Sequence, residues 1–413
     1  MKAISFLILF IIANVVLIGA YFSLKASFSN NSNFSYVGTL IERLKENNSE
    51  TLSFQNPEPL VSVATATSTT TKVTYPSSVP VKVTQKTPVK PATSTDSIKI
   101  TVTQQNPITN FTDSVHQKKE EFGVWLWRSP RDMSSDEMSA VVDQISASGF
   151  TSVYITIDDY LDIRSQKKAV EKYESSLRTF LVLAAKKNIA VDVEAGGKRW
   201  AFPAERAKAS TILSFASEFN KKNVNKIRAV QYDIEPYDLA GYENKKEAYL
   251  SDFLTLISQL ALQAKQENIA LSIAIPEFYD SRDEAGSVHF EDRVDLPFGH
   301  LLRILGTVPK SSLIVMAYSD RTDGPLGSIN ISQTEVAQAS YVSNPVKIII
   351  AQETGNVDSE GRETLSPSVT FHGQSKTYFF SQLKIIDDTF SAYPAYGGIA
   401  VHYFDTFLFL KDK

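Results

Sequence analysis

The chain has 413 residues, 43% hydrophobic and 21% charged, an ordinary globular composition. That length suffices for two or three average domains, or for one barrel of roughly 250 residues with added segments. A formal net charge of -4 gives no electrostatic reason to expect a nucleic-acid partner, and the absence of cysteine excludes disulfides, a thiolate nucleophile and Cys-ligated metals.

Lys2 precedes an uncharged run over residues 4–24, "ISFLILFIIANVVLIGAYFSL", which Lys25 closes. About 20 apolar residues cross a bilayer, whereas a signal-peptide core is usually roughly 7–15. Residues 1–26 are therefore expected to be an uncleaved transmembrane anchor, with a removed signal peptide (cleaved near Ala20 or Ala26) as the alternative. Either way the rest of the chain is exported, held at the cell membrane by a single pass with an extracytoplasmic domain, or secreted. Residues 27–118 are rich in Ser, Thr, Val and Pro, with Pro76, Pro80, Pro88 and Pro91 spaced through the middle. Few large apolar side chains are available there to offset chain entropy, so a disordered, extended linker is expected. The alternative makes "SIKITVTQQ" (residues 97–105) a strand of a small β-module.

Residues 119–413 alternate regularly. Apolar, β-branched runs fall at 122–127, 151–157, 189–194, 228–234, 270–275, 312–318, 346–352 and 397–403. Helical patterns lie between them. Ser134 and Glu137 form a capping box ahead of Met138, Val141, Val142 and Ile145, with Gly149 as the stop. Leu250, Phe253, Leu254, Ile257 and Leu260 repeat the spacing, and Pro203 suits the first turn of another helix. Strand–helix alternation implies parallel strands with right-handed crossovers. Eight such units predict an α/β fold, a (β/α)8 TIM barrel. A doubly wound open sheet also alternates, but no Gly-rich loop follows the first strand.

In such barrels the chemistry collects where strands end. Here the ends carry Trp127 and Arg128, then Asp158, then Glu194 with Trp200 close behind. Next come Gln231, Asp233 and Glu235 with Tyr237, Glu277 after the fifth strand, and Tyr318 after the sixth. Gln352 and Glu353 end the seventh, and His402 and Tyr403 the eighth. In "AVQYDIEPYD", Gln231, Asp233 and Glu235 share one strand face while Val230, Tyr232 and Ile234 share the other. Each polar residue alone could be a salt-bridge partner or a cap, and each aromatic could be rim packing. Together, two carboxylates on one rim suit glycoside hydrolysis: one protonates the leaving oxygen and the other stabilises the cationic sugar. Trp127, Trp200 and Tyr237 are expected to stack on sugar rings.

The pattern of strands with "YDIEP", "IVMAYS" and "GGIAVHYF" resembles the chitinase-like family 18 superfamily of glycoside hydrolases. The resemblance implies Glu235 as general acid and Asp233 as the residue assisting the substrate's own N-acetyl group. The family's two earlier acidic positions are here Arg228 and Gln231, its strand-six aspartate is Ser319, and its strand-eight tryptophan is His402. The chain also resembles the clan of retaining glycosidases that use two glutamates. There Glu235 is again the acid/base and Glu353 the nucleophile, with Ile234 where the clan has Asn. The remaining rim residues (Trp127, Arg128, Asp158, Glu194, Trp200, Gln231, Tyr237, Glu277, Tyr318, Gln352, His402 and Tyr403) are expected to bind substrate. A retaining pair should stand about 5–5.5 Å apart.

The expected partner is therefore a cell-wall or extracellular polysaccharide or oligosaccharide, with the membrane met through the N-terminal segment. No cofactor and no metal are expected. The histidines at 116, 289, 300, 372 and 402 have no ligand-type spacing, and neither a G-x-S-x-G elbow nor a phosphate-cradling loop is present. A non-catalytic carbohydrate-binding barrel is the alternative, since acidic positions of the family-18 motif are replaced. A spacer-mounted adhesion head is a third. Polar insertions over residues 280–297 and 356–375 are expected to shape the cleft.

Overall fold

The computed structural model describes residues 111–113, 115, 120–356 and 365–412. The expected anchor at 1–26, nearly all of the linker and the middle of the second insertion lie outside them. Among the described residues no helix is long and apolar enough to cross a membrane.

The strands, in chain order, are β1 (Glu121–Leu126), β2 (Ser152–Thr156), β3 (Ala190–Gly196), β4 (Ala229–Asp233), β5 (Ala270–Pro276), β6 (Val288–Phe290), β7 (Arg293–Asp295), β8 (Ser312–Met316), β9 (Lys347–Glu353) and β10 (Tyr396–His402). All but β6 and β7 form a closed parallel barrel in the order β1-β2-β3-β4-β5-β8-β9-β10, with β10 returning to β1. The expected (β/α)8 barrel is observed. The helices are α1 (Ser135–Ala147), α2 (Tyr160–Ile163), α3 (Lys167–Lys186), α4 (Ala207–Lys222), α5 (Tyr242–Glu267), α6 (Pro297–Leu305), α7 (Ser328–Ser340), α8 (Lys376–Phe390) and α9 (Phe404–Leu408). β6 and β7 pair as a hairpin within the first insertion, a feature its polar sequence does not announce.

Local signals set the helix ends. At α1, Ser134 Oγ accepts from Glu137 N–H at 3.3 Å while Glu137 Oε2 accepts from Ser134 N–H at 2.7 Å, the reciprocal cap read from the sequence. The buried face is Met138, Val141, Val142 and Ile145. Each such side chain contributes about 1.5–3 kcal/mol by leaving water. Gly149, at φ +84°, then turns the chain into β2, a conformation glycine adopts without a Cβ penalty. Pro203 was expected to open a helix, but α4 starts at Ala207. Pro203 sits instead in irregular turns, in which Glu205 and Arg206 N–H both donate to Phe202 O.

Alternation along the strands separates two apolar regions. Val124, Leu126, Val153, Ile155, Val230, Tyr232, Ile273, Ile350 and Val401 face outward and join the helices in one large core. Trp125, Tyr154, Ile314, Ile349, Ala351 and Ala400 form a smaller cluster inside the barrel. Gln231 pairs in register with Glu194, and Asp233 with Gly196, so the polar positions of β3 and β4 share this inner face. At Gly196 an added Cβ would meet the carbonyl oxygen of Asp233 at 1.9 Å, so the strand ends that carry the carboxylates approach closely only because this residue is glycine.

The lower, N-terminal end of the barrel is plugged by charge. Arg228 Nε and Nη2 donate to Asp192 at 2.7 Å each, and Nη1 and Nη2 donate to Glu121 at 2.8 Å each. Ser152 Oγ and Tyr154 Oη also donate to Glu121, at 2.7 and 2.5 Å. Arg228, which stands where family 18 has an acid, is therefore a structural element of the barrel floor.

Candidate active site

Carboxylates gather at the opposite end of the lumen. Asp233 closes β4 and Glu235 lies two residues beyond, both half-buried. Pro236 opens a short 3-10 turn, Pro236–Asp238, that returns Tyr237 so that its hydroxyl donates to Glu235 Oε1. Burial raises Glu235 above the usual carboxylate range, with the Tyr237 hydrogen bond and the neighbouring His402 and Lys198 side chains opposing it. Burial, then the charges of Glu235, Asp238 and Asp158, push Asp233 up strongly. Asp238 is pushed up to about 8 by burial and by Glu235, with Lys198 opposing.

Glu194 comes from β3. It is only 1% exposed, and burial with the charges of Asp158 and Asp233 pushes it well above its ordinary value. Asp158, whose side chain reaches the surface, is still pushed up to about 6, by burial first and then by Asp159 and Asp162. Its hydrogen bond from Gly196 N–H, 3.1 Å, opposes the shift. Five carboxyl groups thus bear on one another around the upper end of β2, β3 and β4. Lys198 is the cation whose charge reaches Glu235 and Asp238.

A second group lies across the lumen. Glu353, the last residue of β9, is 4% exposed. Its Oε1 accepts from Thr354 N–H at 2.7 Å and Gly355 N–H at 2.5 Å, and its Oε2 lies 2.6 Å from His402 Nδ1. His402 Nε2 lies 3.1 Å from Trp127 Nε1. The imidazole is ringed by aromatics: Trp125 at 5.7 Å, Trp127 at 5.7 Å, Tyr403 at 5.1 Å and Tyr318, stacked at 6.1 Å. Trp127 is 37% exposed, and Tyr318 and Tyr403 are half-buried beside the lumen cluster.

Several expected substrate contacts are placed elsewhere. Trp200 is 6% exposed and packs in the outer core, with its indole against Gly197, so it offers no free face to a sugar. Tyr237 is also buried, edge-on to Phe278 at 5.5 Å, and works as a hydrogen-bond donor to Glu235. Gln352 faces outward: its Nε2 donates to Ala317 O at 2.9 Å and its Oε1 accepts from Ser328 Oγ of α7 at 2.9 Å. Gln231 does face the lumen, but it is fully buried below the carboxylates and accepts from Trp125 Nε1 at 3.0 Å. Glu277 is buried at the start of a 3-10 turn. Arg128 stays at the exposed rim in an ion pair with Asp405.

Sequence reasoning gave no role to Asp238 or Trp125. The first shares the short turn of Glu235, and the second occupies the inward phase of β1, so the strand period was the available signal. A cavity of about 1210 Å³ opens at the lower end of the barrel beside Arg228, Glu121, Asp192 and Lys347. Its acids Glu121 and Asp192 are paired with Arg228 and Lys347 Nζ donates to backbone carbonyls, which leaves those groups committed to the fold. Among the described residues no group of three or more His, Asp or Glu could hold a metal ion.

These features define a (β/α)8 barrel with a carboxylate cluster at the ends of its strands. No protein-family model matches the chain, and no curated protein matches it. Similar solved structures are glycoside hydrolases. An exo-β-1,4-mannosidase from Opitutaceae bacterium strain TAV5 is 9% identical with a TM-score of 0.43, covering 69% of this chain and 52% of that one. This chain thus spans about half the length of that mannosidase. A family 18 chitinase from Pseudoalteromonas aurantia is 12% identical with a TM-score of 0.42, covering 69% and 94%. A broad-specificity endoglucanase from an uncultured bacterium is 13% identical with a TM-score of 0.41, covering 70% and 88%. Similarity of this order carries no chemistry across.

Proposed function

We propose that the barrel is a glycoside hydrolase in which Glu235 is the general acid and Asp233 assists beside it. The carrying observation is that Glu235 lies half-buried at the mouth with a raised carboxyl and a hydroxyl donor, and with no arginine or lysine hydrogen-bonded to it among the described residues. A glycosidic oxygen is a poor leaving group and needs a proton as its bond breaks. A carboxyl raised by burial gives up its proton less readily to water than an ordinary glutamate and is suited to supply one. Asp233, behind it on the same face, is placed to orient a substrate group or to take up positive charge. Trp127, Tyr318 and Tyr403 offer apolar faces suited to a pyranose ring.

In this reading the substrate is a cell-wall or extracellular polysaccharide, met by a domain exported through its N-terminal segment and held off the membrane by the linker. The membrane association and the export rest on the sequence. The acidic positions replaced by Arg228 and Gln231 favour a second reading, a carbohydrate-binding barrel without turnover.

A glycan array followed by reducing-end assays on each hit separates the two. The hydrolase reading predicts product release by wild type. It predicts a loss of roughly 10²–10⁴-fold for Glu235→Gln with sugar binding retained. Binding without product release by wild type would establish the second reading instead.

A further inference from the structure

The hydrogen bonds around His402 fix where its proton resides. An indole N–H can only donate. Trp127 Nε1 stands 3.1 Å from His402 Nε2, so Nε2 accepts and carries the lone pair. The ring proton of the neutral imidazole is then on Nδ1, where it donates to Glu353 Oε2 at 2.6 Å. Glu353 is itself oriented, because its other oxygen accepts two successive backbone N–H groups, those of Thr354 and Gly355. Donation converges on Glu353: the β9-loop backbone donates to it from one side, and from the other a Trp127 indole that is 37% exposed at the mouth donates to His402, which donates to Glu353.

We propose that Glu353 and His402 are positioning residues that hold the Trp127 indole as a sugar-stacking platform at the barrel mouth. This deepens the glycosidase reading and, for the ligand, rests on it. It also gives Glu353 a role other than nucleophile. Both of its oxygens are spent on holding partners and the residue is 4% exposed, whereas Glu235 is half-buried with Oε1 bonded to Tyr237. The imidazole cannot turn freely, since Trp125, Trp127, Tyr318 and Tyr403 surround it. Only its tautomer can change, and the tautomer decides whether the indole has an acceptor.

Glu353→Gln makes this testable. The amide oxygen keeps the two backbone N–H groups, which turns the amide NH2 toward His402 Nδ1. Nδ1 must then accept, the ring proton moves to Nε2, and two donors face each other across the Trp127 contact. His402→Gln is the conservative companion, because its amide can accept from the indole and donate to Glu353 at once.

The experiment is nitrogen NMR on full-length protein labelled at histidine and tryptophan, with Trp127→Phe to assign the indole signal. Wild type should show His402 protonated at Nδ1 and bare at Nε2. Glu353→Gln should reverse that pattern and move the Trp127 indole resonance, and His402→Gln should leave the resonance close to its wild-type position. Titration with chitohexaose or cellohexaose, whichever wild type binds, should show roughly tenfold weaker binding by Glu353→Gln, the effect of about one lost hydrogen bond. In turnover, KM should rise more than kcat falls.

A wild-type His402 protonated at Nε2, or a Trp127 signal unmoved by Glu353→Gln, would overturn the proposal. So would a Glu353→Gln enzyme that binds as wild type does but has lost turnover, the behaviour of a nucleophile variant. If wild type cleaves no glycan the hydrolase reading fails, while the tautomer and the indole signal still decide the role of Glu353 and His402.

Discussion

The two ends of the barrel treat acidic side chains in opposite ways. At the floor, Glu121 and Asp192 are each met by two nitrogens of Arg228, and Ser152 and Tyr154 add further donors to Glu121. Burial would raise both; the Arg228 charge and these hydrogen bonds outweigh it at Glu121 and hold that carboxyl below its ordinary value. Asp192 stays raised by burial against the same cation, so the contrast between the ends lies in the arginine partner. At the mouth, Asp158, Glu194, Asp233, Glu235 and Asp238 face one another, and all five are raised. Acids at the floor complete the fold. Acids at the mouth are raised by burial and, among the described residues, have no arginine paired with them, the pattern that the proposed hydrolase would use.

The largest effect that can test this contrast lies in the tryptophans. Trp200→Ala should destabilise by about 3–5 kcal/mol in urea denaturation, because a buried indole leaves a cavity in the outer core. Trp127→Ala should stay within about 0.5 kcal/mol in the same assay and show its loss in sugar binding instead.

Next is the floor. Arg228→Met leaves Glu121 and Asp192 buried without their cation. Removing one partner of a buried pair costs about 3–5 kcal/mol, and the 38% exposure of Arg228 reduces the expected loss to about 2–3 kcal/mol. A loss no larger than that of a surface substitution would erase the contrast between the two ends.

The smallest effect concerns Glu194. Its folded-state value is raised, so the folded form binds a proton more tightly than the unfolded chain. The stabilisation is fully present below the unfolded value of about 4.3 and is lost as pH rises through the folded one. Glu194→Gln should remove that loss. Wild type should weaken relative to the variant as pH climbs above about 4. Denaturation midpoints measured across pH would show the divergence, and parallel curves would assign Glu194 to an ordinary paired environment.

Much of the barrel was legible in the sequence, and the reason is periodicity. Each run of β-branched residues buries one face on helices and the other in the lumen, and the capping box at Ser134 marks the first helix without reference to the rest of the chain. The alternation in "AVQYDIEPYD" likewise placed Asp233 and Glu235 on the lumen side. What failed was exposure. Trp200, Tyr237 and Glu277 follow strands and Gln352 lies near the end of one, but proximity in sequence does not say whether a side chain turns toward the mouth or under the rim. Gln352 could have been excluded by strand phase alone, since Ile349, Ala351 and Glu353 take the inward positions. The pairing of Arg228 with Glu121 spans 107 residues and carries no local signal.

The hydrolase reading rests on a Glu235 carboxyl that burial raises above the ordinary glutamate value. Carbon-13 NMR of protein labelled at the glutamate side-chain carboxyl, assigned with Glu235→Gln, reads that property directly. A titration midpoint above the ordinary value of about 4.3 is the predicted result, and a midpoint at or below it would contradict the account.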